Sequence, residues 1–320
     1  MSTTLPTIPD GLRARLERRP DGLAWLEALP GSLHELSTRW QIELGYGLEL
    51  PTASLVIRGR RRGHPVVLKL CPPWGSVDRE RAVLEAARGR GYIKLFDADV
   101  AHRALLLEPV GEPLDSGSAL LRDAGRGVRA MVTATLAQAW TVPLATVADP
   151  GPGQNPGERL TAALLAGRTG CPAPECGRAI DRALAYADQR LADRDPGREV
   201  VVHGNPRLWN LRAVPAPRAG AETGYVFVEP LGLRCDREYD LGAALLEGHR
   251  WLLSADDPVV LARQWCAELA EASGCDAEVV WQWSYVQRVA HALALLDGPE
   301  RGLGLSQLRT AVALISRTRG

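Results

Sequence analysis

The run His203-Gly204-Asn205-Pro206-Arg207-Leu208-Trp209-Asn210, directly after the apolar stretch Val200–Val202, holds the densest chemistry in the chain. Loops that transfer phosphoryl groups place an acid two residues after a histidine and a metal-binding asparagine five residues further on. His203, position 205 and Asn210 keep that spacing. The spacing serves one geometry. The acid must face the attacking hydroxyl while the asparagine amide oxygen reaches Mg²⁺ from the same loop. Position 205, however, is asparagine, and a neutral amide cannot accept a proton at neutral pH. Pro206 further confines Asn205 to extended backbone. Arg207 is a candidate for neutralising phosphate charge, with an ordinary surface arginine as the plainer expectation.

Nineteen residues after Asn210, the β-like run Tyr225–Val228 ends in Glu229. Phosphoryl-transfer sites place their second metal ligand, an aspartate, at such a strand end. Glu229 offers the same carboxylate one methylene further out, which a hard, oxygen-seeking cation can use. Upstream, Lys69 lies inside Val66-Val67-Leu68-Lys69-Leu70. A cation inside an apolar strand costs free energy unless it is paired. Glu80, on the next helix-like segment, is the better-placed partner, with Glu85 second. Lysine occurs only at 69 and 94, so the other 36 of the 38 basic residues are arginine. With abundant Ala, Gly and Pro, this suggests a GC-rich, actinobacterial genome, in which a surviving lysine marks a chemical requirement.

These groups need elements to position them. Residues 11–42 read as helical, broken at Pro20 and Pro30. Ala53–Arg58 and Pro65–Leu70 form a plausible hairpin about the turn Gly59–His64. Asp78–Arg88 is helix-like, and Tyr92–Asp97 and Ala104–Glu108 read as two more strands. Beyond Pro109 the texture is helical, over 118–140, 158–167, 177–193, 238–253, 257–273, 276–296 and 304–317. Val200–Val202 and Tyr225–Val228 interrupt it as a second short β pair, and Asp149–Gly157 reads as a loop. The expected organisation is α+β: residues 1–108 as N-terminal helices and a small β-rich lobe, residues 109–320 as a larger helical lobe.

Composition sets the outer limits. The 320 residues suffice for two modest cores. Thirty-eight basic and 38 acidic residues leave no net charge, which argues against nucleic acid or an anionic membrane as the partner. The six cysteines are scattered, without the paired spacing of a zinc site, so free thiols in a cytoplasmic protein are expected. The first residues lack a signal-peptide pattern, and no apolar run reaches the length of a membrane span.

Val202-His203-Gly204-Asn205 through Leu211, then Phe227 to Gly232, then Tyr239-Asp240-Leu241 resemble the aminoglycoside/hydroxyurea phosphotransferases. So do Ala53 through Leu70 and Gly91 through Asp99 with Leu105 to Glu108. That resemblance implies a bilobal, protein-kinase-like fold and an ATP- and Mg²⁺-dependent kinase acting on a small-molecule hydroxyl. It implies that Lys69 contacts the ATP phosphates, Glu80 orients it, and Glu108 to Val110 receive adenine through backbone groups. Asn210 and Glu229 would bind Mg²⁺, position 205 would be the base, and Asp240 would brace the loop. The departures are Asn205, Glu229 and Pro206-Arg207. They keep two alternatives open: a pseudokinase that holds nucleotide without transferring phosphate, and a kinase scaffold turned to other chemistry. Glu247, Asp256, Asp257, Glu268 and Glu271 are candidates for meeting a cationic substrate. Trp281 and Trp283 cannot share one helix face, so one is expected to line a pocket.

Overall fold

The computed structural model describes residues 6–50, 52–114, 125–168, 174–296 and 298–315. Its first part is an antiparallel sheet of five strands in the order β1-β2-β3-β5-β4. They are β1 (Ile42–Gly47), β2 (Leu55–Arg61), β3 (His64–Leu70), β4 (Leu95–Asp99) and β5 (Ala104–Leu107). Both faces of this sheet are covered, which is why β3 reads as an almost unbroken apolar run. Alternation along it sends Val66, Leu68 and Leu70 to one face, where helices α1 (Asp10–Leu16) and α2 (Pro20–Trp40) pack. Val67 and Lys69 point to the other face. On that side helix α3 (Val77–Ala87) carries Glu80 towards the sheet.

Several sequence expectations are corrected here. The helix does not break at Pro30: α2 runs through it, with Leu26, Leu29, Leu33, Leu36 and Trp40 buried against the sheet. Packing of that stripe outweighs one missing backbone donor. Pro20 starts the helix, where its lack of an N–H costs nothing. The chain then turns at Gln41, in a left-handed conformation (φ 54°), and residue 42 opens β1, a strand the sequence reading missed. Tyr92 belongs to no strand of the sheet and instead bridges to Phe227 in the second half of the chain.

The remainder is helical: α4 (Gly125–Ala139), α5 (Pro156–Gly167), α6 (Pro174–Ala192), α7 (Arg237–Ala244), α8 (His249–Ser254), α9 (Pro258–Ser273), α10 (Ala277–Leu296) and α11 (Arg301–Ile315). Of the expected helices, 118–124 and 316–317 lie outside the described residues. The expected single helix 238–253 is two, α7 and α8, separated by a 3₁₀ turn at Leu246–Gly248. The two β segments do not pair with each other. β6 (Val200–Val202) pairs with β9 (Leu233–Cys235), and β7 (Leu211–Ala213) pairs with β8 (Tyr225–Phe227). The loop 203–210 therefore springs from one ribbon and ends on the other.

Helix α10 is buried on nearly every side, so Trp281 and Trp283 are both core residues despite pointing apart. Trp281 donates to the Tyr186 hydroxyl (3.2 Å) and Trp283 to Asp236 (2.8 Å). Two glycines set close approaches. Gly91 (φ 68°) lies against α4, where a Cβ would come within 2.5 Å of the Ala139 nitrogen. At Gly242, α7 crosses α10 so closely that a Cβ would lie 2.6 Å from the Ser284 nitrogen. That crossing fixes the helix that carries Asp240.

Candidate active site

Between the sheet and the helical part lies a cavity of about 440 Å³. Its wall includes Lys69, Glu80, Asn210 and Glu229, so residues 160 positions apart in the chain meet in one cleft. The Lys69 ammonium lies 2.9 Å from both Glu80 carboxylate oxygens and 3.0 Å from Glu229 Oε1. Burial alone would push this lysine's pKa down; Glu229 and Glu80 together outweigh it and hold it above its ordinary value. Lys69 holds the Glu229 carboxyl below its ordinary range against the effect of burial. At Glu80 burial is the stronger influence and raises the pKa against the lysine. Glu85, the alternative partner, pairs with Arg81 instead.

Glu229 sits at φ 57°, a region that non-glycine residues enter at a cost. The turn after β8 imposes this, and it aims the carboxylate into the cavity beside Lys69. Asn210 is buried, and its Nδ2 donates to the Asn205 carbonyl (3.0 Å). Its Oδ1 is thereby left as the acceptor still available.

The loop that holds Asn205 is braced from below. Asp240, fully buried, accepts from the backbone N–H of His203 (2.8 Å) and Gly204 (2.8 Å) and from Trp140 Nε1 (2.9 Å). Burial pushes its pKa up to about 6, against those three donors. His203 is buried between Tyr92 and Phe227, with ring centroids 5.9 and 5.0 Å away. Its Nδ1 accepts the Asn205 N–H (3.1 Å), which puts the proton on Nε2, the donor to the Val228 carbonyl (2.9 Å). Both ring nitrogens are used, and burial lowers the pKa to about 4. A histidine that is neutral when folded makes stability fall as pH drops from about 6.5, where the unfolded chain protonates, towards 4. In an NMR titration between pH 8 and 5, the His203 ring protons are expected not to move. A midpoint near 6.5 would contradict the assignment.

Other candidates lie elsewhere. Asn205 and Arg207 do not line the cavity. Arg207 is no surface arginine: it is 3% exposed, bonded to Glu247 Oε1 (3.1 Å), and stacked under the Trp209 ring (4.4 Å to the centroid). Its guanidinium pairs with Glu247 and lies under Trp209, outside the cavity wall. The Glu108 side chain also faces away from the cavity, bonded to the Lys94 N–H (2.8 Å) and to Arg218. Val110, by contrast, lines it. Among the described residues, neither the Glu108 carbonyl nor the Val110 N–H has a main-chain partner. The acids proposed for a cationic substrate are largely engaged: Glu247 with Arg207, Glu268 with Arg129, Glu271 with Arg126, and Asp257 as the N-cap of α9. Residues the sequence reading passed over include Arg58 and Arg212, which both line the cavity. For Arg58 strand periodicity was the missed signal, since it stands two positions from Val56 on β2.

The family model for aminoglycoside/hydroxyurea antibiotic resistance kinases matches residues 39–298. The chain belongs to this family. Among curated proteins it is 28% identical to the streptomycin 6-kinase of Streptomyces glaucescens, over 98% of this chain and 99% of that one. It is 31% identical to the hydroxyurea phosphotransferase of Kitasatospora aureofaciens, over 92% and 82%. Among solved structures, a choline/ethanolamine kinase family protein from Mesorhizobium loti superposes with a TM-score of 0.63 at 15% identity, covering 97% and 95%. A thermostable mutant of aminoglycoside phosphotransferase APH(4)-Ia, in complex with AMP-PNP and hygromycin B, gives 0.59 at 13%, covering 90% and 99%. The fold of this aminoglycoside/hydroxyurea kinase family member is thus bilobal and protein-kinase-like, a small sheet lobe over a helical one.

Proposed function

We propose that this family member is an ATP- and Mg²⁺-dependent phosphotransferase acting on an alcohol of a small molecule, in antibiotic resistance or natural-product biosynthesis. The observation that carries the reading is the cavity itself. At one end stand Lys69, Asn210 and Glu229, and at its edge stands Val110, whose N–H, like the Glu108 carbonyl, has no main-chain partner among the described residues. Lys69 would hold the phosphates, with Glu80 fixing its position. The Glu108 carbonyl would accept from the adenine edge and the Val110 N–H would donate to it. Asn210 and Glu229 supply oxygen donors that suit a hard divalent cation, which when bound neutralises phosphate charge. Asn205 supplies no base, so the transfer is expected to be slow. The relatives named for streptomycin and hydroxyurea make aminocyclitols and hydroxyurea the first acceptors to try.

Asn205 specifically favours a second reading, a pseudokinase that binds nucleotide without transferring phosphate. One paired experiment separates them. Thermal shift is measured with MgATP, then phosphate transfer to a panel of aminocyclitols and hydroxyurea, for wild type and Asn205→Asp. Transfer by the wild type supports the kinase. Binding without transfer, with transfer appearing in Asn205→Asp, supports the pseudokinase. Absence of nucleotide binding by both proteins would leave a scaffold turned to different chemistry.

A further inference from the structure

We propose that Arg212 forms the floor of the nucleobase subsite, its guanidinium plane stacking against the face of the base. The inference rests on the nucleotide reading above and adds a residue that recognises the base by its π-face. Three observations place it there.

The first is register. Lys69 pairs with Val56 across β2 and β3, and two residues outward Val67 pairs with Arg58, so all four side chains face the cleft. Below, Asn210 and Arg212 both line the cavity while Leu211 between them is buried in the core. Val67 above therefore stands one pleat repeat, about 7 Å, beyond Lys69, and Arg212 below, in β7, follows the 3₁₀ turn that closes at Asn210. A base would sit between these two outer residues when Lys69 and Asn210 hold the phosphates. The strand carrying Arg212 is held in place by β8, where it pairs with Val226, and by a bridge to Pro113 at the end of the edge segment.

The second is the absence of an internal partner. Among the described residues, no hydrogen bond or ion pair reaches the Arg212 guanidinium. Arginine is abundant in this chain and is elsewhere paired wherever it is buried in the site region: Arg207 with Glu247 and Arg218 with Glu108. Arg212 is the half-buried exception. Burial pushes its pKa down, Glu112 and Glu229 oppose this from a distance, and Arg58 adds to it.

The third is the chemistry of the remaining wall. Val56, Val67, Leu107 and Val228 form an apolar slot suited to a flat ring. A planar cation on one side of that slot is matched by the electron-rich face of a heteroaromatic base, better than by a sugar or a second cation. Recognition through the ring face does not distinguish adenine from guanine. That choice falls to the edge groups at Glu108 and Val110.

The test is calorimetric titration of MgATP and of magnesium tripolyphosphate into wild type, Arg212→Leu and Arg212→Gln. Thermal melting of the unliganded proteins establishes that each variant is folded, and the two replacements guard against one of them failing. The expected result is MgATP binding weakened about 3- to 30-fold in the variants, with tripolyphosphate affinity changed far less. Equal weakening of both ligands would mean the cation serves phosphate charge, and unchanged MgATP affinity would mean it serves nothing in binding. Either outcome overturns the stacking role while leaving the nucleotide reading intact. Wild-type protein that binds no MgATP at all overturns both.

Discussion

Asn205→Asp is expected to raise the rate of phosphoryl transfer by about 10²- to 10⁴-fold, the span that a positioned general base contributes. Everything around position 205 is already built to hold a catalytic loop. Asp240 fixes the backbone at 203 and 204, the Asn205 N–H is bonded to His203, and its carbonyl accepts from Asn210 and from the Arg207 N–H. None of these bonds uses the 205 side chain. An aspartate there keeps the same backbone partners and adds the proton acceptor that the amide lacks. The measurement is single-turnover transfer from radiolabelled ATP, with MgATP affinity determined in parallel. Affinity should stay within experimental error, because Asn205 is not part of the cavity wall. A rate gain matched by an equal gain in nucleotide binding would instead point to a charge effect on the metal or nucleotide.

The second large effect is expected at Lys69. Replacement by methionine leaves the Glu80 and Glu229 carboxylates in the cleft without the ammonium that both contact. Breaking a buried ion pair from one side costs about 3–5 kcal/mol, so Lys69→Met should be markedly less stable to urea at neutral pH and should bind MgATP poorly. The deficit has a predictable pH dependence. Glu80 already sits above its ordinary pKa through burial, and without the lysine it rises further. A carboxyl whose folded pKa exceeds its unfolded value binds more protons when folded, so its contribution grows as pH falls below the folded value. The stability gap between wild type and Lys69→Met should therefore narrow on acidification from neutral pH. A gap that stays constant or widens would show that the triad is not what the mutation disturbs.

Arg207 illustrates how burial redirects a residue that sequence spacing places beside the chemistry. Its position two residues after 205 suggests either a phosphate contact or a surface charge, and the structure buries it outside the cavity wall. Glu247 arrives from the turn between α7 and α8, 40 residues away, and takes the guanidinium. The same carboxylate oxygen accepts the Leu208 N–H (3.1 Å), so one buried acid ties both the loop backbone and the arginine beneath Trp209.

Residue types and their intervals determined a good deal by themselves. The histidine-to-asparagine spacing of the 203–210 loop, the lone lysine in an apolar strand, Glu80 on the next helix and the acid just past β8 were all legible, because each follows from local pattern and spacing. The kinase-like order of strands and helices was legible for the same reason. Only the tertiary structure decided what those residues meet. Strand partners are chosen by long-range pairing, so β6 and β8 joined β9 and β7, which flank them in the fold, and not each other. Pro30 stayed within its helix because packing against the sheet outweighs one missing donor. Glu247 and Arg212 acquired their places from chains of contact that no sequence interval encodes. Local pattern reports which face a side chain takes; what stands opposite that face is set by the whole chain closing on itself.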